Sequence, residues 1–184
     1  MVENTFANPA PLGLFGFGIT TILLSLHNAG LIELSTVILA LAVCLGGSAQ
    51  IIAGIFEMKF NNTFGATAFI SFGFFWISLV IIWLLPAIGS VKAVDPISMG
   101  IYLLIFGVFT LFMFVSTLKH TKILQLLFGV LAIVFFLLAI GDFTNLAIIT
   151  TIGGYLGVFT GAVAIYACIG QIINNDWEKD IFKL

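Results

Sequence analysis

The chain has 184 residues, of which 61% are hydrophobic and only 8% are charged. A soluble domain normally has about a quarter of its residues charged, so this composition excludes an ordinary soluble domain and predicts a membrane protein with several spans. The net charge of -2 rests on very few side chains, and we expect a lipid bilayer and no nucleic acid as partner.

Apolar runs long enough to cross a bilayer recur along the whole chain, separated by short polar breaks that leave no room for a soluble domain. We therefore predict an all-α fold, with residues 1–184 forming one bundle of six transmembrane helices. A short segment 1–10 precedes the bundle and a tail 174–184 follows it. Because residues 1–5 lack the basic region of a signal peptide, the first run is expected to stay in the mature protein. The predicted spans are 11–29, 34–56, 65–85, 99–115, 123–140 and 147–173.

Lysine bias predicts the orientation of the bundle. With six spans, both termini and the second and fourth breaks share one side. Lys92 is the single lysine of the opposite side, and cytoplasmic loops carry the excess of lysine, so both termini are predicted to be cytoplasmic. The lysines on the terminal side are Lys59, Lys119, Lys122, Lys179 and Lys183.

The first span begins with the stretch Asn8-Pro9-Ala10-Pro11-Leu12-Gly13-Leu14. Asn8 is a good N-cap residue, and Pro9 would then occupy the first helical position, where its missing N–H is no loss. Pro11 removes a second donor that a helix start leaves unpaired. The stretch predicts a helix start suited to a low-dielectric setting, and Asn8 could meet an anion there.

Three predicted helices have one face that combines glycine with polar side chains. Glycine alone indicates close helix packing, whereas polar groups at membrane depth face the protein interior or a water path. These faces are therefore candidate linings of a pathway. Their members are Gly13, Phe17, Thr20 and Thr21 in the first span; Gly46, Gln50, Gly54 and Glu57 in the second; and Gly153, Gly157, Thr160, Gly161 and Ala164 in the sixth.

Catalytic, metal and cofactor sites are not expected. His27 and His120 are predicted at opposite membrane faces, and Ser48 has no histidine at its depth to act as a base. No phosphate loop or dinucleotide motif is present. The two cysteines, Cys44 and Cys168, lie in apolar segments and are predicted to be buried small hydrophobic residues. The sequence does not favour an enzyme.

Charged groups are sparse at membrane depth, and this restricts how an anion could cross. Glu57 and Asp142 lie near span ends, where each is either a solvated helix end or a titrating group at a pore mouth. No lysine lies in the middle of a span, and the chain has no arginine. An anionic substrate would need hydroxyls, amides and helix termini, or would cross the narrowest part as the neutral acid.

The stretch Asn8–Leu14 is similar to the signature of the acetate uptake transporter family, the succinate–acetate permeases of bacteria and archaea and their fungal relatives. Further matching segments cover nearly the whole chain. They include Gly16–Leu24, Leu26–Asn28, Gly47–Gln50, Asn62–Gly65, Gly107–Phe114, Thr117–Lys119, Leu138–Gly141 and Gly161–Tyr166. The chain is thus identified as a member of this family on its sequence.

The resemblance implies more than spacing does. It implies six-helix protomers assembled as hexamers, each with its own pathway for acetate or succinate. The family's aromatic–leucine constriction corresponds to Phe17, Phe72 and Leu131 here, although close relatives have tyrosine at the position of Phe72. The missing hydroxyl makes the constriction drier and dicarboxylate passage less certain. Positions matching Leu131 and Ala164 influence substrate choice in the family.

We therefore expect a cell-membrane transporter of acetate, with succinate and other small carboxylates as further candidates. It would be either proton-coupled, with Glu57 as the titrating group, or a passive channel. The alternative is a channel for small neutral solutes such as ammonia or water. A membrane sensor without transport would have no use for Thr20, Thr21 and Gln50 on glycine-lined faces.

Overall fold

The computed structural model describes residues 7–89 and 91–184, and every regular element in these ranges is a helix. Six spans in the described residues are long and apolar enough to cross a membrane, which confirms the predicted fold class. The predicted segment 1–10 lies largely outside the described residues. The spans are α1 (Ala10–Asn28), the second span (Thr36–Lys59), α4 (Thr63–Ala87), α5 (Pro96–Thr117), α6 (Lys122–Thr144) and α7 (Ala147–Trp177).

Helix caps extend several spans beyond the apolar runs from which they were predicted. The side chain of Asn62 accepts a hydrogen bond from the backbone N–H of Gly65 at 3.0 Å, so α4 starts two residues early. Asp95 caps α5 in the same way through the N–H of Ser98. A side-chain acceptor pairs with backbone N–H groups that a helix start leaves without partners. A prediction from apolar content alone does not detect such a cap.

The second span is not a uniform helix. It consists of α2 (Thr36–Leu41), a π-helical segment (Ala42–Ala49) and α3 (Gln50–Lys59). Within the π-helical segment the Ser48 hydroxyl donates to the carbonyl of Val43 five residues earlier, at 2.9 Å. Such segments widen the helix and redirect the residues that follow, and they occur often at functional sites. The segment was not predicted, and it lies immediately before Gln50.

The chain after α7 also differs from the prediction. Helix α7 continues to Trp177, and the residues after it turn back along the helix in place of a free tail beginning at 174. The side-chain amide of Asn174 hydrogen-bonds to the segment that turns back. It donates to the carbonyl of Phe182 and accepts from its N–H, both at 2.8 Å. The ring of Phe182 packs edge-on against Tyr166 at 5.5 Å.

Helix α1 packs against α7 through backbone-to-backbone contact. A Cβ atom added at Gly161 would lie 2.7 Å from the carbonyl oxygen of Gly18, and one at Gly18 would lie 2.9 Å from that of Gly161. A side chain at either position would push the two helices apart. The small residues of the α7 face therefore act in helix packing, as glycine spacing at membrane depth indicates.

The remaining helix pairs complete the bundle. Helix α3 packs on α4, α5 pairs with α6, α6 with α7, and α1 also contacts the second span. The buried core contains Phe17 of α1, Phe72 of α4 and Leu131 of α6. We call the end of the bundle at which α1 begins and α3 and α7 end the inner end.

Candidate functional site

Phe17, Phe72 and Leu131 meet around one small cavity. Their exposed fractions are 6%, 3% and 4%, and the rings of Phe17 and Phe72 lie 5.9 Å apart. The structure thus brings together the three residues that the family resemblance placed at a constriction. The cavity is lined by Leu14, Phe17, Gln50, Ala68, Phe69, Phe72, Leu127, Phe128 and Leu131.

The cavity that these three side chains enclose is small. Its volume is ≈ 20 Å³. A cavity needs about 10–15 Å³ to hold a single water molecule, so the space fits about one water and no carboxylic acid. A molecule as large as acetate would fit between these side chains only if Phe17, Phe72 or Leu131 moved.

Gln50 is the one polar residue among those that line the cavity. It is 1% exposed, and its side-chain carbonyl oxygen, Oε1, has no hydrogen-bond partner. Buried polar atoms are nearly always paired, and an unpaired one raises the free energy of the folded state by about 1–3 kcal/mol. An acceptor kept unpaired beside an apolar constriction is available to a solute that donates a hydrogen bond.

Phe72 is held by other aromatic rings. Its ring lies parallel to that of Phe135 at 6.2 Å and 12°, and it meets Phe109 edge-on at 5.8 Å. Phe106 and Phe128 complete the surround at 6.5 and 6.2 Å. Aromatic rings in offset or edge-to-face geometry attract each other, and this attraction adds to the stabilisation that comes from burying their surface. Position 72 is therefore the centre of a packed aromatic cluster, and sequence spacing gave no signal for these partners.

The predicted polar positions of α1 and α7 fall into two groups. Thr20 and Thr160 are fully buried, and each donates to the carbonyl four residues earlier, at 2.8 Å. Both are thereby satisfied within their own helices, as threonine in a membrane helix often is. Thr21 is 6% exposed, and its hydroxyl oxygen has no partner. Thr21 alone keeps its hydroxyl available.

Trp76 is a residue of this region that the sequence did not reveal. It is 3% exposed, its indole N–H has no partner, and its ring occupies the space beside Gly46, where an added Cβ would lie 2.8 Å from it. It lies one turn beyond Phe72 on α4, as Thr21 lies one turn beyond Phe17 on α1. Thr21, Gln50 and Trp76 hold all the unpartnered buried side-chain polar atoms in the described residues.

Ala164 and Thr160 were predicted to line the pathway, but neither contacts the cavity at the constriction. Ala164 is fully buried and belongs to the same core as Phe17 and Leu131, but it does not line the cavity at the constriction. Thr160 is likewise absent from that lining. Both positions support the packing of α7 on its neighbours, and the structure places neither in contact with open space.

A second, wide cavity, which we call the vestibule, opens at the inner end and shares no lining residue with the cavity at the constriction. Its volume is ≈ 1090 Å³, and its polar lining includes Asn8, Glu57, Asn62, Gln171 and Asp176. The Asn8 amide donates to the side-chain oxygen of Gln171 at 3.0 Å, which ties the start of α1 to α7. The vestibule therefore has a second carboxylate, Asp176, besides the predicted Glu57.

The Asn8 side chain accepts a hydrogen bond at the start of α1, but Asn8 is not at the predicted N-cap position. Its side-chain oxygen accepts from the N–H of Ala10 at 3.0 Å, and the helix begins at Ala10. Pro9 therefore precedes the helix, and the prediction that it occupies the first helical position was wrong by one residue. Pro11 lies in the first turn as expected.

Glu57 is 3% exposed although it lies at the mouth of the vestibule. One of its carboxylate oxygens accepts from the Asn62 amide at 2.8 Å, and the same Asn62 side chain caps α4. Gly65 leaves the space that the Glu57 side chain occupies, because a Cβ there would lie 2.9 Å from its carboxyl carbon. Glu57 is thus held in place by the start of α4.

Cysteine and metal chemistry receive no support from the described residues. No group of three His, Cys, Asp or Glu side chains in them could hold a metal ion. Cys168 is buried, as predicted, but Cys44 is exposed on the outer side of the π-helical segment. The prediction was therefore wrong for Cys44, because an apolar segment of a membrane helix has an outward face as well as a buried one.

Comparisons with known proteins agree on one family. The model of the GPR1/FUN34/yaaH family matches residues 1–179. The chain is 47% identical over its full length to the succinate-acetate/proton symporter SatP of Escherichia coli K12, covering 98% of that protein. It is 36% identical to acetate permease A of Emericella nidulans, over 92% of the chain and 63% of that protein.

A further relative and a solved structure extend these similarities. The chain is 43% identical to ammonia transport outward protein 2 of Saccharomyces cerevisiae, over 89% of the chain and 60% of that protein. Its fold matches a structure of the bacterial acetate channel SatP with a TM-score of 0.96 at 48% identity. The match covers 97% of this chain and 98% of the other.

Proposed function

The chain belongs to the GPR1/FUN34/yaaH family, and on that premise we propose that it transports acetate across the cell membrane through a pathway within each protomer. Relatives that match over nearly their whole length are named as a succinate-acetate/proton symporter and an acetate channel, which supports this substrate and points away from an enzyme. The six spans supply the multi-pass scaffold that such a pathway needs.

One observation of the structure carries the proposal. A closed apolar constriction has one unpaired amide oxygen, that of Gln50, and a wide cavity whose lining includes carboxylate and amide side chains lies at the inner end of the same helix, α1. A structural core would have no use for an unpaired acceptor, since replacing it by an apolar group would be neutral or stabilising. An acceptor at the narrowest point suits a solute that arrives with a hydrogen to donate.

The geometry favours passage of the protonated acid. A bare carboxylate at membrane depth is costly by several kcal/mol, and no lysine or arginine lies near the constriction to compensate it. The lining of the constriction is apolar apart from Gln50. Acetic acid would donate its O–H to Gln50 Oε1 while its methyl group passes between Phe17 and Leu131.

Proton delivery falls to the vestibule. Glu57 is buried at its mouth beside the amide of Asn62, which can donate to the charged carboxylate at 2.8 Å. Glu57 is the titrating group in the proton-coupled form of the proposal. In the passive form the acid takes its proton from solvent in the vestibule, and Glu57 only shapes the entry.

Three finer statements belong to the same proposal. The inner end faces the cytoplasm, because Lys59, Lys119, Lys122, Lys179 and Lys183 lie at that end and Lys92 lies opposite. The membrane is the cell membrane. The protomers assemble as a hexamer, which the family resemblance suggests and which the exposed apolar outer faces of the spans accommodate.

Uptake of labelled acetate into proteoliposomes tests the transport proposal. We expect flux well above that of empty liposomes at equal acetate concentration. An inward proton gradient raises the concentration of the neutral acid outside, so it should increase the flux beyond its effect on empty liposomes in both forms, and the variant Glu57→Gln distinguishes the two. Flux that follows acetate and ignores the pH gradient would instead identify a channel for the anion. Flux no higher than that of empty liposomes would contradict acetate transport.

Passage of a small neutral solute is the second candidate, and the cavity favours it. A space of ≈ 20 Å³ fits a molecule of the size of water or ammonia without movement of Phe17 or Phe72. A yeast relative named for ammonia transport supports the same idea. Ammonia-driven alkalinisation of the same proteoliposomes tests it, and a rate equal to that of empty liposomes would exclude it.

The side chain at position 72 should influence how well succinate is taken up. The Phe72 ring has no hydroxyl to offer a second carboxyl group, and it is enclosed by apolar rings. We expect poor succinate uptake by the wild type and an increase of a few-fold in the succinate-to-acetate ratio for Phe72→Tyr. An unchanged ratio would mean that the hydroxyl at this position does not select dicarboxylates.

A further inference from the structure

An apolar groove runs down the outside of the hairpin formed by α5 and α6. It has a volume of ≈ 370 Å³ and is almost wholly apolar, with Gln125 as its one polar lining residue. Gly129 forms part of its floor, since a Cβ there would lie 3.1 Å from the ring of Phe114. Leu111, Leu126 and Ile133 line its rims and are 43%, 43% and 51% exposed.

The groove has the length of one membrane leaflet. Along α6 it extends from Gln125 to Phe136. At about 1.5 Å per helical residue this distance is roughly 16 Å, and half of a hydrocarbon core of about 30 Å is roughly 15 Å. Its polar end is at the inner end of the bundle, where α5 ends and α6 begins. An acyl chain of the inner leaflet would therefore fit it end to end.

Positive charge is concentrated at the polar end of the groove. Gln125 accepts a hydrogen bond from the ammonium group of Lys122 at 3.0 Å and donates to the backbone carbonyl of His120 at 3.1 Å. These bonds hold the loop 118–121 and the Lys122 ammonium over the groove mouth. Lys119 lies in the same loop, and neither α5 nor α6 contains an acidic residue before Asp142 at the opposite end.

We infer that this groove binds one acyl chain of an anionic phospholipid, whose headgroup contacts Lys119 and Lys122. Basic residues between membrane helices on the cytoplasmic side suit anionic headgroups. Lysines that only orient the protein would need no fixed position, whereas Gln125 fixes Lys122 at the end of a chain-shaped groove. The inference does not depend on the transport of acetate.

Lipid binding to the purified full-length protein in detergent tests this inference. Native mass spectrometry would count bound palmitoyl-oleoyl phosphatidylglycerol and, separately, phosphatidylcholine with the same acyl chains. We expect phosphatidylglycerol to bind the wild type roughly tenfold more tightly. The double variant K119Q/K122Q should lose this preference, and the matched control K179Q/K183Q, with the same charge change elsewhere at the inner end, should keep it.

A second pair of variants tests the acyl chain. Leu126→Trp fills the groove from its rim, and we expect weaker binding of both lipids. Ile105→Trp places the same ring at an exposed position of α5 outside the groove and should leave binding unchanged.

Three results would overturn the inference. Equal binding of the two lipids by the wild type would remove the headgroup site. If both double lysine variants lost the preference for phosphatidylglycerol equally, the preference would be due to net charge and not to a site at Lys119 and Lys122. A changed oligomeric mass for Leu126→Trp with unchanged lipid preference would assign the groove to a second copy of the chain.

Discussion

The constriction and the inner vestibule are neighbours along α1, yet they differ in size and in whether their polar side chains have hydrogen-bond partners. The vestibule has a volume of ≈ 1090 Å³ and the cavity at the constriction ≈ 20 Å³. In the vestibule Asn8 bonds to Gln171 and Asn62 to Glu57. At the constriction the oxygen of Gln50 is left unpaired.

Under the proposed function, this difference predicts separate tasks for the two regions. Paired amides in a wide space hold the ends of helices together and let a hydrated solute enter with little selection. An unpaired acceptor in a dry, closed space interacts with any solute that passes, and with little competition from water. Selectivity and rate should therefore depend on the constriction, and capture and proton coupling on the vestibule.

The largest effect is expected for Phe17→Ala, which should widen the constriction and admit larger acids. Phe17 and Phe72 pack at 5.9 Å, so truncation removes one side of the closure. A barrier lower by about 1.4 kcal/mol would raise the uptake rate about tenfold. We expect at least this increase for butyrate and a smaller one for acetate, measured as labelled uptake into proteoliposomes.

Phe15→Ala is the matched control for this change. Phe15 lies on the same helix, lines the vestibule and is 40% exposed. Its truncation should leave the butyrate-to-acetate ratio unchanged. Equal ratios in wild type, Phe15→Ala and Phe17→Ala would show that Phe17 only packs.

The sequence predicted the scaffold well because membrane burial has a simple signature. Six apolar runs gave six spans, and their errors lie at the ends, where the caps Asn62 and Asp95 extend helices without adding apolar residues. The α7 face around Gly161 was predicted to line a pathway, but Gly161 packs against the backbone of α1, which is the alternative that glycine alone indicated. The family resemblance supplied Phe17, Phe72 and Leu131, which helical spacing alone did not distinguish from ordinary core.

The rest depends on tertiary contacts that no local pattern encodes. The π-helical segment of the second span has no local sequence signature, and Cys44, which lies in it, is exposed where burial was predicted. Whether a threonine is satisfied by its own helix also requires coordinates, and Thr20 and Thr160 proved to be satisfied while Thr21 is not. The unpartnered indole N–H of Trp76 had no sequence signal.

The second prediction separates activity from stability at Gln50. In Gln50→Leu a side chain of similar size replaces the unpaired amide. The variant should lose about tenfold in acetate uptake, because one hydrogen bond of roughly 1.4 kcal/mol to the acid is gone. Its melting temperature should not fall, since the folded state no longer contains a buried unpaired acceptor.

A fall in melting temperature with unchanged uptake would contradict this prediction, and would show that Gln50 has a structural partner instead. Thr20→Val is a useful comparison. Thr20 is buried as deeply as Gln50, but its hydroxyl is satisfied by the carbonyl of Gly16. Its uptake should therefore change less than that of Gln50→Leu.

The third prediction concerns the two carboxylates of the vestibule. Glu57→Gln keeps the shape of the side chain and can still accept from Asn62, but it cannot titrate. In the proton-coupled form it should abolish the stimulation of acetate uptake by a pH gradient and reduce the remaining uptake only a few-fold. Asp176→Asn, an exposed carboxylate of the same lining, should retain the stimulation. Retained stimulation in Glu57→Gln would remove Glu57 as the proton carrier.

The smallest effect is expected for Asn8→Ala, at the rim of the vestibule. The change removes the bond to Gln171 and the cap on Ala10, both of which are exposed to solvent. Exposed hydrogen bonds of this kind contribute about 0.5–1.5 kcal/mol, which corresponds to a few-fold change. Because entry is a separate task from passage, the loss should appear as a higher KM for acetate with an unchanged maximal rate and an unchanged butyrate-to-acetate ratio. A changed ratio would show that the start of α1 sets the position of Phe17, and that the vestibule and the constriction act as one unit.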